Sequence, residues 1–292
     1  MPNAEELFPL PEDERRALKQ VTIESEVLII AAAIVGAFIL TGLSTGSWGY
    51  AIGFGWLLDI LETMTPHWAM IVLPVIMIGA VIAVDKIGLA HFASYREQKD
   101  ELTKGLNGEL PRLGLGWIAI SSILAGVCEE LLFRYVLMGL LMLGFSLFAS
   151  PVPAAIPTIV ISSLIFTLVH LQYRNPWSIG LVVCLSLIFG IGYLATGSLL
   201  VVMFAHAVYD AAIMLYERHR MKVDPNYFGG ETPPSSAVID ILASSKNKKK
   251  SKETEANESI DDAGELSESI DDAGELSESI VDACEASEKA AK

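Results

Sequence analysis

Ionisable side chains interrupt three otherwise apolar segments between residues 113 and 215. They are Glu129, Glu130, Arg134, His170, His206 and Asp210. A charge at the centre of a bilayer costs roughly 2.5–3.5 kcal/mol on insertion scales, so such groups normally face the interior of a helix bundle and have partners. Carboxylates and imidazoles are also common general acids and bases. These residues are therefore candidates for a catalytic site within a membrane protein.

The spacing of the first cluster separates its two carboxylates. Residues four apart lie on one face of a helix, so Glu130 and Arg134 can pair directly. Glu129 is rotated by about 100° from Glu130 and is left without a counter-ion on its own helix. We therefore expect Glu129 to be the general base that acts on water.

The two later clusters supply the remaining chemistry. His170 follows Phe166 by one helical turn on the same face and can hold the water that Glu129 activates. His206 and Asp210 share a face and can stabilise an oxyanion, with Asp210 either protonated or acting through His206. Each residue taken singly is equally consistent with helix packing. Their occurrence in three segments that must pack together favours a site.

Together these residues form three spaced motifs within about residues 113–215. The motifs are Glu129-Glu130-x-x-x-Arg134, Phe166-x-x-x-His170 and His206-x-x-x-Asp210. In order and spacing they resemble the signature of the CPBP intramembrane proteases. That family includes the type II CAAX prenyl endopeptidases, the abortive-infection (Abi) proteins and the lysostaphin-resistance-like proteins.

The resemblance implies an all-helical membrane fold with its site in a cavity open to the membrane. It implies that Glu129 and His170 activate water and that His206 and Asp210 act on the oxyanion. Glu130 and Arg134 would support the site. The last motif position is asparagine in some members and aspartate in others, so Asp210 lies within the pattern.

The sequence is compatible with a zinc-dependent mechanism and with one that needs no metal. The family is often labelled metalloprotease, and Glu129, His170 and His206 suit zinc by ligand type. The chain has no HExxH motif, whose two histidines lie one turn apart. We therefore prefer a Glu/His water mechanism that requires no cofactor and keep Zn²⁺ as the alternative.

The sequence accordingly predicts an intramembrane endopeptidase that acts on a membrane-associated protein or peptide, prenylated or not. Two other classes stay open, a non-catalytic membrane scaffold or immunity protein and a proton-coupled transporter. Expected partners are membrane lipids and the substrate, and no nucleic acid.

Composition and hydropathy identify the elements that must position these residues. The chain is 52% hydrophobic with a mean hydropathy of +0.47, and about 20 apolar residues suffice to cross a bilayer. We predict six crossings, at residues 27–43, 68–84, 113–148, 153–172, 177–195 and 199–215. The fold class is thus an all-α polytopic transmembrane bundle of about 6 to 8 helices.

The segments between the crossings are also predicted. Residues 48–61 are broken by Asp59 and fit a re-entrant or interfacial piece, and residues 85–112 form a polar loop. Short turns are expected at 174–176 and 196–198. Segment 113–148 is either one long crossing or a hairpin, and one crossing is preferred because it keeps every basic loop on one side.

Basic residues predict the orientation and the division of the chain. Cytoplasmic loops are enriched in lysine and arginine, which places the N-terminus, the loop at 85–112 and the C-terminus of this multi-pass protein in the cytoplasm. We divide the chain into a cytoplasmic segment (1–26), N-terminal transmembrane helices with the polar loop (27–112), the catalytic core (113–215) and a soluble tail (216–292).

Residues 253–292 of the tail hold 14 acids and 2 lysines and so carry most of the net charge of −15. The stretch SIDDAGELSE at 259–268 recurs unchanged at 269–278 and in a degraded copy at 279–288. An acid-rich segment without aromatic residues cannot bury enough apolar surface to fold, which predicts disorder. A protein-binding role and a solubilising role both stay open for this tail.

Overall fold

A computed structural model of the chain contains helices and no strands over the residues that it describes, which are 8–95, 109–170 and 176–224. Its long helices are α1 (Glu12–Thr45), α4 (Ala69–His91), α5 (Leu115–Glu130), α7 (Pro151–Val169), α8 (Pro176–Thr196) and α9 (Leu199–Val223). A π-helical segment (Leu131–Leu137) continues α5 directly into α6 (Met138–Phe145). The shorter elements are α2 (Trp48–Ile52), α3 (Gly55–Glu62) and a 3₁₀ turn (Leu110–Arg112).

Within the described part of the chain, six helices are long and apolar enough to cross a membrane. One of them is the continuous stretch Leu115–Phe145, so the segment predicted at 113–148 is a single crossing rather than a hairpin. The other five correspond to the remaining predicted segments. The chain is therefore a multi-pass integral membrane protein with the predicted number of apolar helices.

Three helices extend into regions that hydropathy excluded. Helix α1 begins at Glu12 rather than near residue 27, with acids in its first turn that suit the positive end of the helix dipole. Helix α4 continues through Asp85 and Lys86, so the loop predicted from residue 85 was wrong for 85–91. Helix α9 continues beyond 215 and ends with basic residues in its last turn. Charged residues end an apolar stretch, but they do not end a helix.

The segment after α1 does not cross, as predicted. Helices α2 and α3 are 5 and 8 residues long, far short of a crossing. The charged Asp59 on α3 accepts hydrogen bonds from Thr41 (2.6 Å) and Tyr50 (3.1 Å). These bonds fasten the short helices to the end of α1.

The turn predicted at 196–198 is present and positions α9. Gly197 has a φ of +64°, a left-handed conformation that glycine adopts without a Cβ penalty. Ser198 caps α9 by accepting from the Val201 amide, and its hydroxyl donates to the carbonyl of Thr65. Most of the turn predicted at 174–176, the loop at 96–108 and the acidic tail lie outside the described residues.

Helix α9 is central to the packing and contacts α4, α5 and α8. Its buried face belongs to a core cluster with residues from α1, α4, α8 and the π-helical segment. Small side chains on α1, among them Ala33 and Ala37, let the helices approach closely. The first and third motifs thus lie on two helices in direct contact, α5 and α9, whereas α7, which carries the second motif, packs against α6 and α8.

Candidate active site

A buried ion pair forms the base of the site. Nε of Arg134 lies 3.1 Å from Oε2 of Glu130, and both side chains are fully buried. This is the pair that their spacing predicted. Nη2 of Arg134 also donates to the hydroxyl of Ser186 on α8 at 3.2 Å. The pair therefore ties the first motif to a second helix.

The second oxygen of Glu130 contacts the third motif. Nδ1 of His206 lies 2.9 Å from Oε1 of Glu130, and because the carboxylate accepts, Nδ1 donates. Phe189 stacks on His206 with ring centroids 4.9 Å apart, and the Arg134 guanidinium lies over the same phenyl ring. Sequence reasoning missed both the Glu130–His206 bond and Phe189. An aromatic residue in an apolar span carries no signal of its own.

Close contact between α5 and α9 makes this bond geometrically feasible. A Cβ on Gly126 would lie 2.7 Å from the Met203 carbonyl oxygen and 2.9 Å from the Ala207 amide nitrogen. Gly126 precedes Glu130 by one turn, and Ala207 adjoins His206. Only glycine permits this approach, so Gly126 sets the distance between the first and third motifs.

Glu129 and His170 form a second, more accessible pair. Oε2 of Glu129 lies 3.6 Å from Nε2 of His170, and their side chains are 12% and 18% exposed. Nδ1 of His170 donates to the Phe166 carbonyl at 2.8 Å, which directs Nε2 towards Glu129. The imidazole also stacks on Phe166 at 4.3 Å, as expected for residues on one face. Helix α7 ends at Val169, so this ring lies at the helix terminus.

Asp210 completes the group of polar side chains. Its Oδ2 lies 3.5 Å from Nε2 of His206, and the side chain is 23% exposed. His206 therefore has a carboxylate at each ring nitrogen, Glu130 on the buried side and Asp210 on the open side. Of the two roles expected for Asp210, action through His206 fits this contact.

The helix that carries the first motif changes from α-helical to π-helical within that motif. The π-helical segment Leu131–Leu137 begins next to Glu130, and π-helical turns occur frequently at functional sites. The Phe133 carbonyl, which accepts from the Met138 amide within this segment, also accepts from the hydroxyl of Ser162 on α7 at 3.2 Å. The sequence shows no glycine or proline in this segment, so its pattern did not predict the change.

These groups open onto one cavity of about 700 Å³. Glu129, His170, His206 and Asp210 line it, whereas Glu130 and Arg134 do not. Most of the remaining wall is apolar and comes from α1, α4, α8 and α9. The volume lies within the roughly 300–1,000 Å³ of ordinary ligand pockets. The cavity can hold a short peptide segment or a lipid chain.

The zinc alternative is tested by how the candidate ligands are arranged. Among the described residues, no group of three or more His, Cys, Asp or Glu side chains is placed to hold a metal ion. Glu129 and His170 face each other, while Nε2 of His206 faces Asp210. The three candidate ligands therefore do not converge as a zinc site requires, and no step below passes through a metal.

Comparison with known families bears on the segment that holds all three motifs. Residues 111–212 match the family model described as Type II CAAX prenyl endopeptidase Rce1-like. The chain carries an Rce1-like domain. The match runs from the 3₁₀ turn into α9 and agrees with the resemblance to the CPBP intramembrane proteases. No curated protein and no solved structure matches the chain. The Rce1-like domain indicates an enzyme of the CAAX protease type.

Proposed function

We propose that this protein is an intramembrane endopeptidase that hydrolyses a peptide bond in a membrane-associated protein or peptide. The proposal rests chiefly on Glu129 and His170, whose Oε2 and Nε2 atoms face each other at 3.6 Å on the wall of the cavity. A carboxylate and an imidazole so placed can hold one water molecule between them and the substrate. The Rce1-like domain supports the same reaction class.

The first step is attack by water. Glu129 accepts a proton from the water while His170 orients it, and the water oxygen bonds to the scissile carbonyl carbon. The carbonyl π electrons move to oxygen, giving a tetrahedral intermediate with one negative charge. The pair therefore acts as base and orienting group.

His206 stabilises the developing oxyanion. Its Nδ1 donates to Glu130 (2.9 Å) and its Nε2 lies 3.5 Å from Asp210. A carboxylate at each ring nitrogen lets both nitrogens carry hydrogen, so Nε2–H can donate to the oxyanion. A fixed donor of this kind costs no reorganisation during the reaction.

Collapse of the intermediate completes the cycle. The carbonyl re-forms, the C–N bond breaks and its electron pair goes to nitrogen. Glu129 returns its proton to this nitrogen, so the products are a carboxyl group and an amine. Glu129 is ready for another water molecule, and no group outside the chain and the substrate is consumed.

Glu130 and Arg134 position the reacting groups. Both are buried and neither lines the cavity. Through its two oxygens Glu130 holds Arg134 and His206 at once. The pair therefore fixes the position of His206 relative to Glu129. The distance between these two residues decides whether both can act on one substrate.

The walls of the cavity favour a substrate with an apolar part. Leucine, isoleucine and valine side chains of α4 and α8 line it, and burial of apolar surface is worth about 25 cal/mol per Å². A prenyl group on a C-terminal cysteine and a hydrophobic peptide segment both fit this requirement. A matched pair of peptides, prenylated and unmodified, separates the two.

Substrate trapping tests the proposal. Glu129→Gln changes one oxygen to nitrogen and keeps the side-chain shape. We expect the variant in membranes to retain bound substrate, identified by mass spectrometry, and to lose cleavage of the trapped protein. The exposed Glu24 on α1 provides a matched control, since Glu24→Gln lies outside the cavity. Full cleavage by Glu129→Gln would remove Glu129 as the base.

A liposome assay addresses the transporter alternative. Buried carboxylates and histidines also form proton relays, so wild-type protein is reconstituted and proton flux is followed across a pH gradient. The proposal expects peptide cleavage and no flux above that of empty liposomes. Flux without cleavage of any trapped protein contradicts it.

A further inference from the structure

A further acid lines the cavity from outside the matched domain. Glu26 lies on α1, is 7% exposed and belongs to the cavity wall. The side chain of Cys128 on α5 lies near its carboxylate, and the Oε2 atom of Glu26 is buried without a hydrogen-bond partner. A buried carboxylate oxygen with no partner is costly. The mechanism proposed above does not use this residue.

No lysine or arginine forms an ion pair with Glu26 among the described residues. The charged groups that act on it are Glu129, Asp210 and His206, two of which are acids. A structural carboxylate within a span normally has a basic partner, as Glu130 has in Arg134. Glu26 instead faces the cavity.

The charge of the cavity is graded along its length. Its inner part is lined by Glu26, Glu129 and Asp210, with histidines as the only basic side chains. The lysine and arginine of the wall, Lys86 and Arg220, lie near the ends of α4 and α9, where the acids Asp85 and Glu217 also line it. Arg220 follows Asp210 by ten residues, which is about 15 Å along a helix. The inner part is therefore acidic and has no lysine or arginine, whereas acids and cations balance at the far end.

We propose that Glu26 is the counter-ion of a subsite for a positively charged group of the peptide substrate, next to the scissile bond. The inference rests on the proposed function and names the substrate class of that site. A hydroxyl or an amide would serve a substrate N–H equally well, whereas an unpartnered carboxylate in an acidic cavity selects a cation. The cation is a lysine or arginine side chain or a free N-terminal amine.

Equilibrium binding tests the subsite without requiring turnover. The full chain carrying Glu129→Gln is held in detergent, and binding of fluorescent apolar peptides is measured by anisotropy. A single lysine is placed at successive positions of the peptide. Each lysine peptide is compared with a peptide of the same length that has norleucine at that position. We expect the best lysine position to bind about 10- to 100-fold tighter than norleucine, the range for a charge-assisted hydrogen bond.

A second variant carries both Glu129→Gln and Glu26→Gln. In it, the ratio of the binding affinity of the lysine peptide to that of the norleucine peptide should fall to about one. Because each ratio is taken within one variant, a general loss of folded protein does not change it. Glu26→Asp keeps the charge and should keep part of the preference. Glu24→Gln removes a charge two residues away, outside the cavity, and should leave the ratio unchanged.

Acetylated and free N-termini distinguish the two sources of the cation. Dependence on Glu26 that survives acetylation assigns the subsite to a side chain, and dependence lost on acetylation assigns it to the terminal amine. The proposal is overturned if, with Glu26 intact, lysine binds no tighter than norleucine at any position and a free N-terminus binds no tighter than an acetylated one. It is also overturned if the preference for the positive charge persists in Glu26→Gln. Failure of cleavage alone would count against the proposed function and leave these binding results standing.

Discussion

Glu130 joins two of the three motifs, because one of its carboxylate oxygens lies 2.9 Å from Nδ1 of His206 and the other 3.1 Å from Nε of Arg134. The adjacent Glu129 points to the cavity instead and faces His170. Two neighbouring glutamates are thus divided between holding the site together and facing its contents. Substitution of each should have a different consequence.

Glu130→Gln should destabilise the protein strongly. It leaves the buried Arg134 without its counter-ion, and breaking a buried ion pair typically costs about 3–5 kcal/mol. Glu129→Gln alters a partly accessible side chain and should cost less than about 1 kcal/mol while removing cleavage. Thermal unfolding in detergent, with a proteolysis assay on the folded fraction, compares the two variants. Equal losses of stability would contradict the division of roles.

His206→Ala should lower kcat by about 10²–10³-fold, as loss of an oxyanion-hole donor does elsewhere. Glu130 keeps Arg134 as its partner in this variant, so the fold should persist. His219 lies on the same helix and is exposed, which makes His219→Ala a matched control with unchanged kcat. A kcat within about twofold of wild type in His206→Ala would assign the oxyanion to another group.

Gly126→Ala should separate α5 from α9. The added methyl would lie 2.7 Å from the Met203 carbonyl oxygen, and overpacking of this kind costs about 1–3 kcal/mol. We expect a lower unfolding temperature and reduced cleavage. Gly116 lies on the same helix with no atom near its missing Cβ, so Gly116→Ala should be neutral or slightly stabilising. The same response from both alanine variants would show that the close approach is unimportant.

Tyr95 should make stability depend on alkaline pH. It lies beyond the end of α4, and its hydroxyl donates to Asp85 at 2.9 Å. Burial, together with this carboxylate, raises the pKa of Tyr95 above its ordinary value. A raised folded-state pKa stabilises the protein fully below the unfolded pKa of about 10, and the contribution is lost as the pH rises above that value.

Thermal unfolding between about pH 9 and pH 11 checks the Tyr95 prediction. The fall in unfolding temperature over this range should be smaller in Tyr95→Phe than in wild type. Tyr216 is exposed, so Tyr216→Phe should retain the wild-type fall. An alkaline fall in Tyr95→Phe as large as that of wild type would exclude Tyr95 as its source.

Local spacing accounts for much of the agreement between sequence and structure. Four-residue separations predicted that Glu130 would pair with Arg134 and that Phe166 would share a face with His170, and both contacts are present. Such contacts depend only on helix geometry. The bounds of α1, α4 and α9 were less well predicted, because hydropathy reports where a bilayer can lie and not where backbone hydrogen bonding stops.

By itself, the sequence determined the apolar helices, the three motifs and the contacts within one helix, since each depends on residues a few positions apart. The tertiary structure decided the contacts between helices. It placed His206 on Glu130, Glu129 opposite His170, and Glu26 in the wall of the same cavity. These distances are set by how closely α1, α5, α7 and α9 pack, at positions such as Gly126, and no periodicity along a single chain segment encodes them.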